Sequence, residues 1–114
     1  MTDVAALQRQ LRIKTGVVQR LHKETKVYLQ ETTQLETRLA KLTADHAEEW
    51  DIKNAGKMVN ESKKMILDAA ARLEKAVDDL RSVITSTKNE SALPADDETL
   101  LKAEEIIKEA TSTA

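Results

Sequence analysis

The sequence predicts an all-α fold, an antiparallel three-helix bundle with two long coiled-coil-like helices and a shorter third, on three observations. The first is a pair of ladders in heptad steps. One runs through Leu7, Leu11, Lys14, Val18, Leu21, Thr25, Tyr28, Thr32, Leu35, Leu39 and Leu42; the other restarts as Ile52, Ala55, Val59, Ser62, Ile66, Ala69, Leu73, Ala76, Leu80 and Val83. A repeat of about 3.5 residues keeps one seam of a helix against a partner helix along its length. The second observation is composition: no Phe or Cys, two Gly, one Pro and 33% charged residues among 114, a mixture suited to long amphipathic helices. The third is phase. On one continuous helix the step from Leu42 to Ile52 would rotate the seam by about 80° at ~100° per residue, so the chain must break between them.

The first helix is expected over residues 3–44, where its seam ends. Asp45 and Glu48 have the spacing of a capping box, which places a turn at 43–49 and the second helix at 48–87. The polar stretch 86–94 ends at Pro94, the only proline, and breaks the pattern. The third helix is expected over 95–110, with acidic residues in its first turn and an apolar stripe of Leu100, Ala103, Ile107 and Ala110, broadened by Leu101 and Ile106. Short connections make successive helices antiparallel. The third helix then lies beside the start of the first and the end of the second, where Ile13 and Val17, and Ala70, Val77 and Ile84, widen the seams. Midway along the pair, Tyr28 and Ser62 are expected to face each other and share a hydrogen bond, a polar layer that sets register. The whole of 1–114 reads as a single domain.

Several function classes are poorly served. Without cysteine there is neither a disulfide framework nor a thiolate metal site. No apolar run approaches the roughly 20 residues needed to cross a bilayer, and the start lacks a signal peptide's basic and apolar regions, so a cytoplasmic address is expected. His22 and His46 are the only histidines, and no Gly-rich phosphate loop or serine placed with a base is present; an enzyme, a cofactor and a metal are not expected. His46 stands with Asp45, Glu48 and Glu49, a group that a solvated turn explains as well as a metal would. Net charge is −2, but residues 1–41 carry eight Lys/Arg against four Asp/Glu, and 42–114 carry ten against sixteen. The basic first helix can be neutralised by the acidic third or can attract an acidic partner. Nucleic acid is not expected, because no aromatic residue interleaves the cations.

A binding surface is the better-supported class. Met58 and Met65 flank the second seam on the side away from the third helix, with Trp50, Lys57, Lys63 and Lys64 nearby. Adaptable Met side chains and a Trp anchor suit a protein interface, with lysines to steer; the structural alternative is that the methionines cap the two-helix core and Trp50 seals the turn. A second candidate face is Arg9, Arg12, Ile13, Gly16, Val17 and Arg20. Gly16 lies on the outer face, where it costs up to about 1 kcal/mol relative to Ala and gains no packing, unless another backbone comes close.

The segment Leu11-Arg12-Ile13-Lys14-Thr15-Gly16-Val17-Val18-Gln19-Arg20-Leu21 resembles the N-terminal signature of the tubulin-binding cofactor A family, which reads close to Ile-Lys-Thr-Gly-Val-Val-Lys-Arg-Leu. Trp50-Asp51-Ile52-Lys53 resembles its aromatic-Asp-Ile-Lys segment. Glu61-Ser62-Lys63-Lys64-Met65-Ile66-Leu67-Asp68, with Arg72-Leu73, resembles its Glu-Ser-x-x-Met-Ile-Pro-Asp and Arg-Leu positions. The resemblance covers about residues 11–84 and implies a three-helix bundle that binds β-tubulin released from the cytosolic chaperonin and passes it to other folding cofactors. Leu67 stands where the family often has Pro, which predicts an unkinked second helix. The residues alone leave open a coiled-coil adaptor or tether acting by helix–helix association, and a monomer or a homodimer.

Overall fold

The computed structural model describes residues 3–112, and its elements are α1 (Val4–Ala44), α2 (Glu49–Asn89) and α3 (Glu98–Thr111). Every rung of the two ladders is buried or half-buried, as a seam facing another helix requires. α2 runs unbroken through Leu67, whose N–H keeps its place in the helix.

The helix ends differ from expectation in instructive ways. Asp3 caps α1, its Oδ1 accepting from the Ala6 N–H at 3.2 Å and its carbonyl from Leu7. At the other end, Ala47 N–H donates to the Leu42 carbonyl and His46 N–H to Thr43, with His46 at φ 55°. This is a Schellman ending with a non-glycine residue in the left-handed position. Asp45 therefore belongs to the end of α1 and does not begin a capping box; the Glu48 carbonyl accepts the first α2 bond, from Ile52 at 3.1 Å. α2 stops by the same device two residues later than expected, with Ser91 at φ 50°, Ala92 N–H on Thr87 and Ser91 N–H on Lys88. α3 starts at Glu98 rather than 95, because the Asp97 N–H closes a turn onto the Pro94 carbonyl and uses Ala95 and Asp96.

The chain falls into two compact units. One comprises residues 1–22 and 72–114, and its core joins Leu11, Val18 and Leu21 of α1, Ala76, Val77, Leu80 and Ile84 of α2, and Leu100, Ala103, Ile106 and Ala110 of α3. Leu93, read from sequence as part of a polar break, is buried in this core. The flank of α1 facing α3 is also not the one expected. Ile13 is 59% exposed, and Thr15 is buried in its place, while Val17 is half-buried and packs against the core. On α2 the row is correct at Val77 and Ile84 but not at Ala70, which is exposed.

α3 runs parallel to α1 and is held at its start by Asp97. The Asp97 Oδ1 accepts from the Leu100 N–H at 3.1 Å as an N-cap, and its Oδ2 accepts from the Gln8 side chain at 2.8 Å. Lys88 pairs with Glu104 at 3.1 Å, a bond from α2 to α3. The Gln8 amide, and next the Leu100 N–H, hold the Asp97 carboxyl below the usual carboxylate range. A lowered folded-state pKa stabilises above the unfolded value of about 3.9 and is lost as pH falls through the folded value. Melting followed against pH is thus expected to show a loss below about pH 4 that is shallower in Asp97→Asn, which has no carboxylate to protonate. Equal slopes for both proteins would refute the anchoring role.

The other unit, residues 23–71, is a helical hairpin. Ala55, Val59 and Ala69 are buried with two hydroxyl residues, Thr32 and Ser62. Ser62 pairs with Thr32, not with Tyr28 as expected, and the Thr32 hydroxyl donates to the Tyr28 carbonyl at 2.8 Å. With that proton committed, Ser62 is the donor in the hydroxyl pair. The partner lies one helical turn from the expected one because the residues spent between α1 and α2 move the centre of the hairpin toward Ala47.

Candidate functional site

Helical geometry brings most of the first candidate surface together. At about 100° per residue, Lys64, Lys57, Trp50, Met65 and Met58 fan across about 120° of α2, centred away from its buried seam. Lys63 falls on the other flank. The apolar members are open: Trp50 is 72% exposed, Met65 47% and Met58 37%. Trp50 does not seal the turn, and the methionines are only partly used as a cap on the hairpin. Trp50 and Met58 are about 12 Å apart along the axis, at 1.5 Å per residue, and Met65 lies about 10 Å further. Glu61 shares the arc, so the lysine charge is partly offset there. Leu67 adds a 72%-exposed side chain on a different flank of the same helix.

On the second surface, Arg9, Arg12, Gly16 and Arg20 recur every three or four residues and so share one exposed face of α1. Ile13 stands exposed at the edge of this face, and Val17 turns toward the core. No backbone approaches Gly16: a Cβ there would meet nothing within 4 Å. The close approach expected from sequence is therefore not made by α3. Nor does α3 neutralise these cations by direct pairing, since among the described residues no carboxylate is paired with Arg9, Arg12 or Arg20, and Glu104 serves Lys88.

Beside this face α1 and α3 form a groove of about 440 Å³, lined by Arg12, Thr15, Gln19, Glu98, Thr99 and Lys102. Thr15 was not singled out by periodicity, which put Lys14 on the seam. Its hydroxyl is buried without a hydrogen-bond partner among the described residues. The half-buried His22 likewise has its Nε2 buried and unpartnered. His46 is an exposed turn residue, and among the described residues no three His, Cys, Asp or Glu side chains are grouped to hold a metal ion. Among the described residues no helix is long and apolar enough to cross a membrane.

Comparison with known proteins agrees with this architecture. The family model described as tubulin binding cofactor A matches residues 6–107. Tubulin-specific chaperone A of Rattus norvegicus is 43% identical over 81 residues, 71% of this chain and 75% of that protein. The crystal structure of tubulin folding cofactor A from Arabidopsis thaliana superposes with a TM-score of 0.88 at 26% identity, covering 96% of this chain and 99% of that one. The human tubulin chaperone cofactor A structure gives 0.75 at 35% identity, covering 90% and 96%. With a family model matched over residues 6–107 and 43% identity to the Rattus norvegicus protein over 71% of its own length, the chain belongs to the tubulin binding cofactor A family.

Proposed function

We propose that this chain is a cytoplasmic tubulin-folding cofactor that binds β-tubulin released from the cytosolic chaperonin and passes it on for assembly of the αβ heterodimer. Family membership supports tubulin as the partner. The observation that carries the choice of surface is the exposure of Trp50, Met58 and Met65 along one arc of α2. Large apolar side chains left open on one helix face, with polar residues around them, are the usual makings of an interface. Lys57, Lys64 and the more distant Lys63 would steer an acidic partner, and the apolar groups would hold it at short range. The role requires no enzymatic chemistry or cofactor. Microtubule association would follow from the partner, and both the monomer and the homodimer are compatible with it.

The experiment is capture of purified β-tubulin by the wild-type chain and by a Met58→Ala, Met65→Ala double variant. The variant is expected to keep its helix content, since both side chains are exposed and lie outside the buried seam, and to bind several-fold more weakly. If it binds normally while charge reversal at Arg9, Arg12 and Arg20 abolishes capture, the start of α1 is the contact face. If the wild-type chain captures no tubulin and instead self-associates with rising concentration, the helix–helix tether is the correct reading.

A further inference from the structure

We infer that the α1–α3 groove at Thr15 is a binding site for a carboxylate side chain of an acidic peptide segment whose backbone crosses α1 at Gly16. The inference does not rest on the tubulin reading. It begins with threonine chemistry. Thr32, Thr33, Thr37, Thr43, Thr87 and Thr111 each donate to the carbonyl four residues earlier in their helix. That local bond satisfies a helical hydroxyl without help from any other element. Thr15 sits mid-helix, is 4% exposed and makes no such bond. A buried hydroxyl without a partner is unfavourable and rare, and an acceptor arriving from outside the chain would remove the deficit.

Three further features lie in or beside the groove. Thr15 forms part of the groove wall with its hydroxyl oxygen covered, so a carboxylate seated in the groove bonds it once the side chain turns outward. Arg12 and Lys102 stand on opposite helices of that groove, and Arg9 and Arg20 extend the positive charge along α1; Glu98 is the one carboxylate in the lining. The surplus is positive, and none of these cations is paired with a carboxylate among the described residues. Gly16 follows Thr15 in sequence, is exposed one turn from Arg12 at the rim of the groove, costs helix stability, and a Cβ added there would meet nothing within 4 Å. Its use is space. A residue without a side chain lets another backbone lie against the helix, which Ala or a larger residue would hold off.

Together these specify the occupant's chemistry. An acceptor that carries negative charge and reaches in from a peptide backbone is an Asp or Glu side chain, with Arg12 supplying charge-assisted bonds and Thr15 donating its hydroxyl proton. A bare inorganic anion would satisfy Thr15 but would leave Gly16 without a reason. A nucleic acid would satisfy the cations but would gain nothing from Thr15 behind them.

The test is fluorescence anisotropy of a fluorescein-labelled, end-capped glutamate–glycine repeat peptide, with its glutamine–glycine analogue as control, added to the full chain at low salt. The glutamate peptide is expected to bind at least about tenfold more tightly than the glutamine one. Gly16→Leu should weaken binding by about tenfold while leaving the melting temperature unchanged or higher, because its Cβ meets nothing within 4 Å and leucine favours the helix more than glycine does. Thr15→Val, which keeps the shape and removes the hydroxyl, should weaken binding several-fold without lowering the melting temperature. Equal binding of the two peptides, no binding at all, or a Gly16→Leu variant that binds as the wild type does would each overturn the proposal. So would an oligonucleotide that outcompetes the glutamate peptide and is unaffected by Thr15→Val.

Discussion

Leu80→Ala is expected to lower the unfolding free energy by about 3–5 kcal/mol, the upper part of the range for truncating a buried leucine. Leu80 is fully buried in the core that also holds Leu11 and Val18 of α1 and Leu100 of α3, themselves at most 1% exposed. With all three helices sharing this core, no single helix can move inward to fill the void without drawing away from another, so the cavity term adds to the lost transfer energy. Urea unfolding followed by circular dichroism would measure it, with an unchanged m-value as the sign that only stability has moved. Leu67→Ala is the control: at 72% exposure it should change stability by less than about 0.5 kcal/mol. A loss below about 1 kcal/mol at Leu80 would mean that the unit repacks around the gap.

Ending the chain after Ser91 is expected to have a larger effect. It deletes Leu93, Leu100, Ala103, Ile106 and Ala110, all buried. Burial of the three larger side chains is worth roughly 4–9 kcal/mol in gross transfer energy, partly offset by the conformational freedom that ordering α3 removes. It also bares the faces of Leu11, Val18, Val77 and Ile84 that α3 covers. The shortened protein should melt more than about 10 °C below the full chain and bind a dye specific for exposed apolar surface. Melting unchanged, with no dye bound, would show that α3 contributes nothing to its unit.

The ladders were legible because period is a property of the sequence itself: burying a seam demands apolar residues every three and four positions, and each rung from Leu7 to Leu42 and from Ile52 to Val83 ended buried or half-buried. Which flank of a seam meets a third helix is a different kind of fact. Apolarity pointed to Ile13, but the residue buried on the flank toward α3 is Thr15, whose hydroxyl disguises it as a surface residue. Asp45 misled for a related reason, since the same short polar residues end helices as well as begin them. The Thr32–Ser62 pairing depended on how many residues the connection consumes, and that was decided by His46 entering a left-handed conformation that sequence more often signals with glycine. For the candidate surfaces, residue types were readable in advance: Met58, Met65 and Trp50 as anchors, Gly16 as an anomaly. The unsatisfied hydroxyl of Thr15 was not, because an absent hydrogen bond exists only in three dimensions.

The Thr32–Ser62 pair also bears on errors of alignment. A hairpin of heptad-patterned helices can slide by one whole heptad and still match apolar rungs, so period alone does not choose among offsets. Sliding one way sets Ser62 opposite Leu39 and strands its hydroxyl in an apolar layer, at a cost of about 1–3 kcal/mol. Sliding the other way sets it opposite Thr25, another hydroxyl, and incurs little penalty. The pair therefore works as a one-way ratchet. Against the permitted slip stands the connection, since α1 would have to surrender part of its last turn, around Lys41–Ala44, to let the strand of chain reverse earlier. Proofreading is thus divided between a polar pair in mid-hairpin and a tight reversal at its tip, and a looser tip would let the chain misalign in a single direction.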